Sequence, residues 1–69
     1  MSIRDLLHDA ADRLAAAGVD SARTDARILL AHAMGVTREE LIAARRHPSA
    51  EEAALFESFV ARRIAREPV

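Results

Sequence analysis

Asp25-Ala26-Arg27-Ile28-Leu29-Leu30-Ala31-His32-Ala33-Met34, closed by Gly35, is the stretch that decides the fold. At 100° per residue, Ala22, Ala26, Leu29, Leu30, Ala33 and Met34 share one broad face. Ile28 and Ala31 lie on the other side. A helix that is apolar around most of its circumference needs neighbours on several sides. The stretch is therefore expected to be the central helix of a small bundle, with every other segment packed around it.

The flanking chain supplies those neighbours. Ile3, Leu6, Leu7, Ala10 and Leu14 recur at spacings of three and four and form one stripe, while Arg4, Asp5, Asp9, Asp12 and Arg13 take the opposite face. Ser2 is the expected N-cap of this first helix, with Asp5 in its first turn, and Asp9 to Arg13 is an i,i+4 pair. Gly18 suits the left-handed position just past a helix, with Val19 folding back on Leu14. Asp20 or Ser21 caps the central helix; a short first turn before Thr24 would form a separate piece. Gly35 stops the central helix as Gly18 stops the first.

Two sharp start signals follow. Thr37 and Glu40 have the spacing of a capping box, and Val36 can staple onto Leu41. The helix they open is short, from Arg38 to about Arg46, with Leu41 and Ile42 expected to face inward. Pro48 breaks the chain and holds His47 extended. Ser49 and Glu52 make a second capping box. The last helix is expected from Ala50 to about Arg66, where the rows Leu55-Phe59 and Phe56-Val60-Ile64 form a wide apolar face. Pro68 forbids continuation and leaves Glu67 extended. No run alternates with period two, so no strand is expected. The fold class is all-α: a single domain over 1–69, a small orthogonal or up-down bundle of four helices, five if the region after Asp20 splits. Connections of about 2–5 residues imply antiparallel neighbours.

Composition narrows the function. Sixty-nine residues allow one small domain, in which only about 60% of the unfolded surface is buried. There is no cysteine, so neither a disulfide nor a thiolate-held metal staples it. Ten arginines and no lysine stand against eleven acids, for a net charge of −1. A dedicated nucleic-acid binder usually carries a basic surplus, so direct nucleic-acid binding is not expected. No apolar run approaches the roughly 20 residues of a membrane span, and the N-terminus lacks the apolar core of a signal peptide. A cytoplasmic location is the expectation.

Candidate chemistry is sparse. His8 and Asp12 share a helix face, a spacing that suits a metal, but no third ligand stands nearby; a solvated pair is the plainer reading. His32 reads as a half-buried packing residue and His47 as loop. Ser2, Ser21, Thr37 and Ser49 all fall where N-caps belong. No Ser-His-Asp or Cys-His arrangement emerges, and the two glycines are helix stops, not a phosphate cradle. No catalytic, cofactor-binding or metal residue is assigned. Charge remains: Arg45 and Arg46 end one helix and Arg62, Arg63 and Arg66 end the last, opposite in sign to Asp5, Glu39, Glu40, Glu51 and Glu52 at helix starts. Macrodipole complementation accounts for most of this. Arg62 and Arg66, four apart, repel mildly unless an anion lies nearby. Arg62, Arg63 and Arg66 are therefore the candidate partner-binding patch.

Two segments resemble a known family. Ala22-Arg23-Thr24-Asp25-Ala26-Arg27-Ile28-Leu29-Leu30-Ala31-His32-Ala33-Met34-Gly35 is similar to the R-x-D-A-x-x-L-L-x-H-x-x-G segment near the start of HemK/PrmC proteins. Arg62-Arg63-Ile64-Ala65-Arg66-Glu67-Pro68-Val69 is similar to the R-R-x-x-R-E-P-[VI] run that closes their N-terminal domain. Order and separation also fit, and the resemblance spans essentially the whole chain. It implies a helical N-terminal domain of a protein-(glutamine-N5) methyltransferase, whose separate Rossmann-like catalytic domain binds S-adenosylmethionine. That enzyme modifies the glutamine of the Gly-Gly-Gln motif in peptide-chain release factors. The glycine-rich cofactor loop and the Asn-Pro-Pro-Tyr motif of the catalytic domain are not in this sequence, which resembles a domain excised from a longer chain. The implied role is substrate recognition, with a release factor and the parent's catalytic domain as partners.

Two other classes compete. One is a free-standing helical interaction module. The other is a helix-turn-helix nucleic-acid binder built from Val36 to Phe56, against which stand Glu39, Glu40, Glu51 and Glu52, which would face phosphates.

Overall fold

A computed structural model describes residues 2–43 and 47–66, with Arg66 described only as part of a helix. Among the described residues four helices appear in order: α1 (Ile3–Ala16), α2 (Ala22–Met34), α3 (Arg38–Ala43) and α4 (Ala50–Arg66). No strand occurs among the described residues. The region after Asp20 does not split: residues 20 and 21 form a turn and α2 starts directly at Ala22. The expected end of α3 at about Arg46, and the stop at Glu67 and Pro68, lie outside the described residues.

Local chemistry sets the helix ends. Ser2 Oγ accepts from the Asp5 N–H at 3.1 Å. At the end of α1, Gly18 sits at φ 91° and the Val19 N–H reaches back to the Leu14 carbonyl at 3.0 Å, satisfying a carbonyl the helix would otherwise leave open. Gly35, at φ 69°, repeats the device, with the Val36 N–H donating to the Ala31 carbonyl at 3.0 Å. A side chain at either glycine would be strained by the backbone conformation itself, since nothing else lies within 4 Å of an added Cβ. Ser21 occupies the N-cap position of α2 but makes no side-chain cap bond; its hydroxyl lies 3.2 Å from Asp25 Oδ1 instead.

Both capping boxes form. The Thr37 N–H donates to Glu40 Oε1 at 2.9 Å and Thr37 Oγ1 accepts from the Glu40 N–H at 3.1 Å. Ser49 and Glu52 make the same reciprocal pair at 2.9 and 3.1 Å. The Thr37 backbone N–H, and after it the Thr37 hydroxyl, hold the Glu40 carboxyl below its ordinary pKa. A depressed carboxyl stabilises the fold above its unfolded pKa and loses that contribution as pH falls through its folded pKa. The Thr37 amide proton shift should therefore titrate with a midpoint below the ordinary glutamate range, and Glu40→Gln should flatten that curve. A midpoint at the ordinary value would show the box to be open in solution.

The core is assembled on α2, which packs against α1, α3 and α4, while α1 also meets α4. The largest fully buried side chains are Leu14 of α1, Leu30 of α2, and Phe56 and Val60 of α4. Leu41 anchors α3 in the same cluster, with Val36 packed beside it. On α2, Ala22, Ala26, Leu30, Ala31, Ala33 and Met34 are buried. Ala31, assigned by periodicity to the far side, is thus inside, and Ile28 is 45% exposed.

Two inward assignments are corrected. Ile42 is 77% exposed, because six-residue α3 makes its contact with α2 and turns Leu41 into it. Adjacent helical positions are about 100° apart, so both cannot face one neighbour. Leu55 is 43% exposed: Phe56 and Val60 define the buried line of α4, and Leu55 falls beside it. The helix-turn-helix reading also fails on packing, since α3 and α4 make no contact among the described residues.

Candidate functional site

The end of α4 lies against the start of α2, which places Arg63. Asp25, in the first turn of α2, accepts from Arg63 Nε at 3.1 Å, a bond that spans 38 residues of sequence. The Asp25 side chain is only 18% exposed, so the pair is partly screened from water. Arg63 thus holds a carboxylate within its own chain. Arg62 is exposed beside it, and the side chain of Arg66 lies outside the described residues. The structure therefore brings Arg62 and Arg63 together at one end of α4 and neutralises Arg63 in place.

A groove of about 530 Å³ runs between the two helices here, lined by Ile28, Leu29 and His32 of α2 and by Phe59, Arg62 and Arg63 of α4. His32 packs edge-on against Phe59, with ring centroids 5.5 Å apart and planes at 73°. His32, expected to be half-buried, is exposed, yet it does pack on Phe59. The groove offers an apolar wall, an exposed guanidinium and an imidazole.

The other half of the molecule carries an ion-pair cluster. Arg13 Nε lies 3.2 Å from Asp9 Oδ2, the expected i,i+4 pair. Sequence reasoning missed the second partner: the Arg13 guanidinium also binds both carboxylate oxygens of Glu57 on α4, Oε2 at 3.0 Å. The Glu57 hydrogen bond leads the causes that raise the Arg13 pKa. The cue was present, since Glu57 is an acid one position from the apolar line of α4, but its partner stands 44 residues away. His8 and Asp12 are both exposed, and no group of three metal-ligating side chains occurs among the described residues. No helix among the described residues is long and apolar enough to cross a membrane.

The fold and groove define a class: a small all-α domain, built around one central helix, with apolar grooves between its helices. The chain belongs to the PrmC N-terminal domain family, whose model matches residues 5–69. It is 49% identical over 70 residues to a release factor glutamine methyltransferase of Cereibacter sphaeroides, covering 100% of this chain and 25% of that protein. A release factor glutamine methyltransferase of Caulobacter vibrioides is 46% identical over 61 residues, 87% of this chain and 21% of the relative. One from Rhodospirillum rubrum is 45% identical over 65 residues, 93% of this chain and 20% of the relative. The chain thus spans about a quarter to a fifth of the length of these relatives. No solved structure matches it.

Proposed function

We propose that this domain is the substrate-recognition part of a release factor glutamine methyltransferase. It holds a peptide-chain release factor while a separate catalytic domain of the same parent chain, supplied with S-adenosylmethionine, methylates N5 of the glutamine in the Gly-Gly-Gln motif. The domain contributes no catalytic residue and no cofactor contact. The observation that carries this reading is the family match across 5–69, together with relatives named for release factor glutamine methylation.

The physical case is one of positioning. An enzyme that modifies a single glutamine of a large protein gains from contacts far from the reacting atom, because they convert a random encounter into an oriented one. A rigid bundle beside the catalytic domain supplies such contacts. In this reading Arg62, exposed beside the Arg63–Asp25 pair, is the free charge of the docking patch and meets a carboxylate of the partner or of the catalytic domain. A substrate that acts in translation goes with a cytoplasmic enzyme in this reading.

Deleting residues 1–69 from the intact methyltransferase tests the proposal. The KM for whole release factor should rise about tenfold or more, as expected when a tethered second contact is lost. Methylation of a short Gly-Gly-Gln peptide, which is too small to reach the domain, should persist. An unaltered KM for the whole protein substrate would sink the recognition role. Micromolar binding of S-adenosylmethionine by the isolated domain in a calorimetric titration would refute its cofactor-free assignment.

A further inference from the structure

A second groove, of about 480 Å³, opens on the side of the bundle away from Phe59 and Arg62, between α1, the start of α2 and α3. Its apolar lining comes from Ile3, Leu7 and Ala11 of α1 with Leu41 and Ile42 of α3. Ile42 is the most exposed large apolar side chain among the described residues and stands in its wall. Arg4, Arg23 and Arg27 line it as well, with Asp12 the one acid and His8 beside it.

We propose that this groove seats an acidic segment of the substrate protein that carries an apolar side chain, an inference that rests on the recognition role given above. Charge complementarity carries it. Arg13 and Arg63 are held by carboxylates of the domain. Arg4, Arg23 and Arg27 make no ion pair or hydrogen bond among the described residues, and all three converge on this groove. Arg23 and Arg27 are i,i+4 like charges, an arrangement that disfavours the free helix. A chain of net charge −1 thus places three uncompensated guanidinium groups, against one acid, around an exposed isoleucine. Carboxylates entering from a partner relieve that repulsion, and an apolar side chain between Ile3, Leu7 and Ile42 removes their surface from water. A nucleic-acid backbone supplies the anions but leaves the apolar lining wet. The groove contains no residue of α4.

The test uses the intact methyltransferase and its whole release factor, with calorimetry for Kd. The double reversal Arg23→Glu/Arg27→Glu and, separately, Ile42→Ser should each raise Kd about tenfold, and the salt dependence of binding should flatten in the double reversal alone. Arg23→Gln/Arg27→Gln removes the charge without adding acid and keeps the test open if the reversal unfolds. Arg38→Glu, exposed and outside the groove, should leave Kd as it was. An unaltered Kd in the groove variants overturns the proposal, while a raised KM on deletion of residues 1–69 would leave the recognition role standing. Failure of the deletion as well overturns both. Kd unaltered, with loss of self-association, of duplex RNA binding or of the intact enzyme's thermal stability, assigns the groove to a second copy, a nucleic acid or the enzyme's own chain, and equally overturns it.

Discussion

Phe56→Ala is expected to destabilise the domain by about 3–5 kcal/mol, the usual range for removing a buried aromatic ring and leaving its cavity. Phe56 is fully buried and is the largest side chain at the point where α4 meets the helices carrying Leu14 and Leu30. A 69-residue domain has a total stability of roughly 3–10 kcal/mol. The variant should therefore lose much or all of its cooperative transition. Circular dichroism melting would show Tm falling by more than about 15 °C, or no transition at all. The core has few large side chains to close around the hole, since five of its eleven other buried members are alanine. Phe56→Leu, which keeps most of the volume, should fall well short of that loss. Equal melting of Phe56→Ala and the parent would mean that α4 is not docked in solution.

Ala26→Leu is expected to destabilise by about 1–3 kcal/mol, for the opposite reason: too much volume. Ala26 is 1% exposed on the helix that packs against all three others. Ala10 on α1 and Ala22, Ala31 and Ala33 on α2 are buried with it, and such short side chains let helix backbones approach closely. A leucine there has to push a neighbouring helix away. The urea midpoint should fall with the m-value unchanged, the mark of a stability change without a change in the unfolded chain. Ala15→Leu, at an exposed position of α1, is the matched control and should be near neutral.

What was legible in the sequence follows from how far its causes reach. Ser2, Thr37 and Ser49 cap their helices through partners three residues away, and Gly18 and Gly35 stop theirs through carbonyls within the preceding turn. Such interactions depend only on neighbours along the chain, so spacing alone foretells them. The family resemblance, carried by the α2 stretch and the arginine-rich end of α4, spans the same residues as the PrmC N-terminal domain match. Arg62 and Arg63 were legible as neighbours near the end of α4, but not the Asp25 carboxylate that Arg63 holds.

The sequence by itself determined the starts of α1, α3 and α4, the stops of α1 and α2 and the choice of α2 as the central element. Tertiary structure alone decided which apolar residues are inside. Ala31 is buried and Ile28 exposed because three helices surround α2 unevenly, and Ile42 is outside because short α3 meets a single neighbour. It also decided that Arg63 reaches Asp25 and Arg13 reaches Glu57, across 38 and 44 residues. Periodicity says how a helix is striped, but burial and ion pairing depend on what lies opposite, which is known only once the helices have packed.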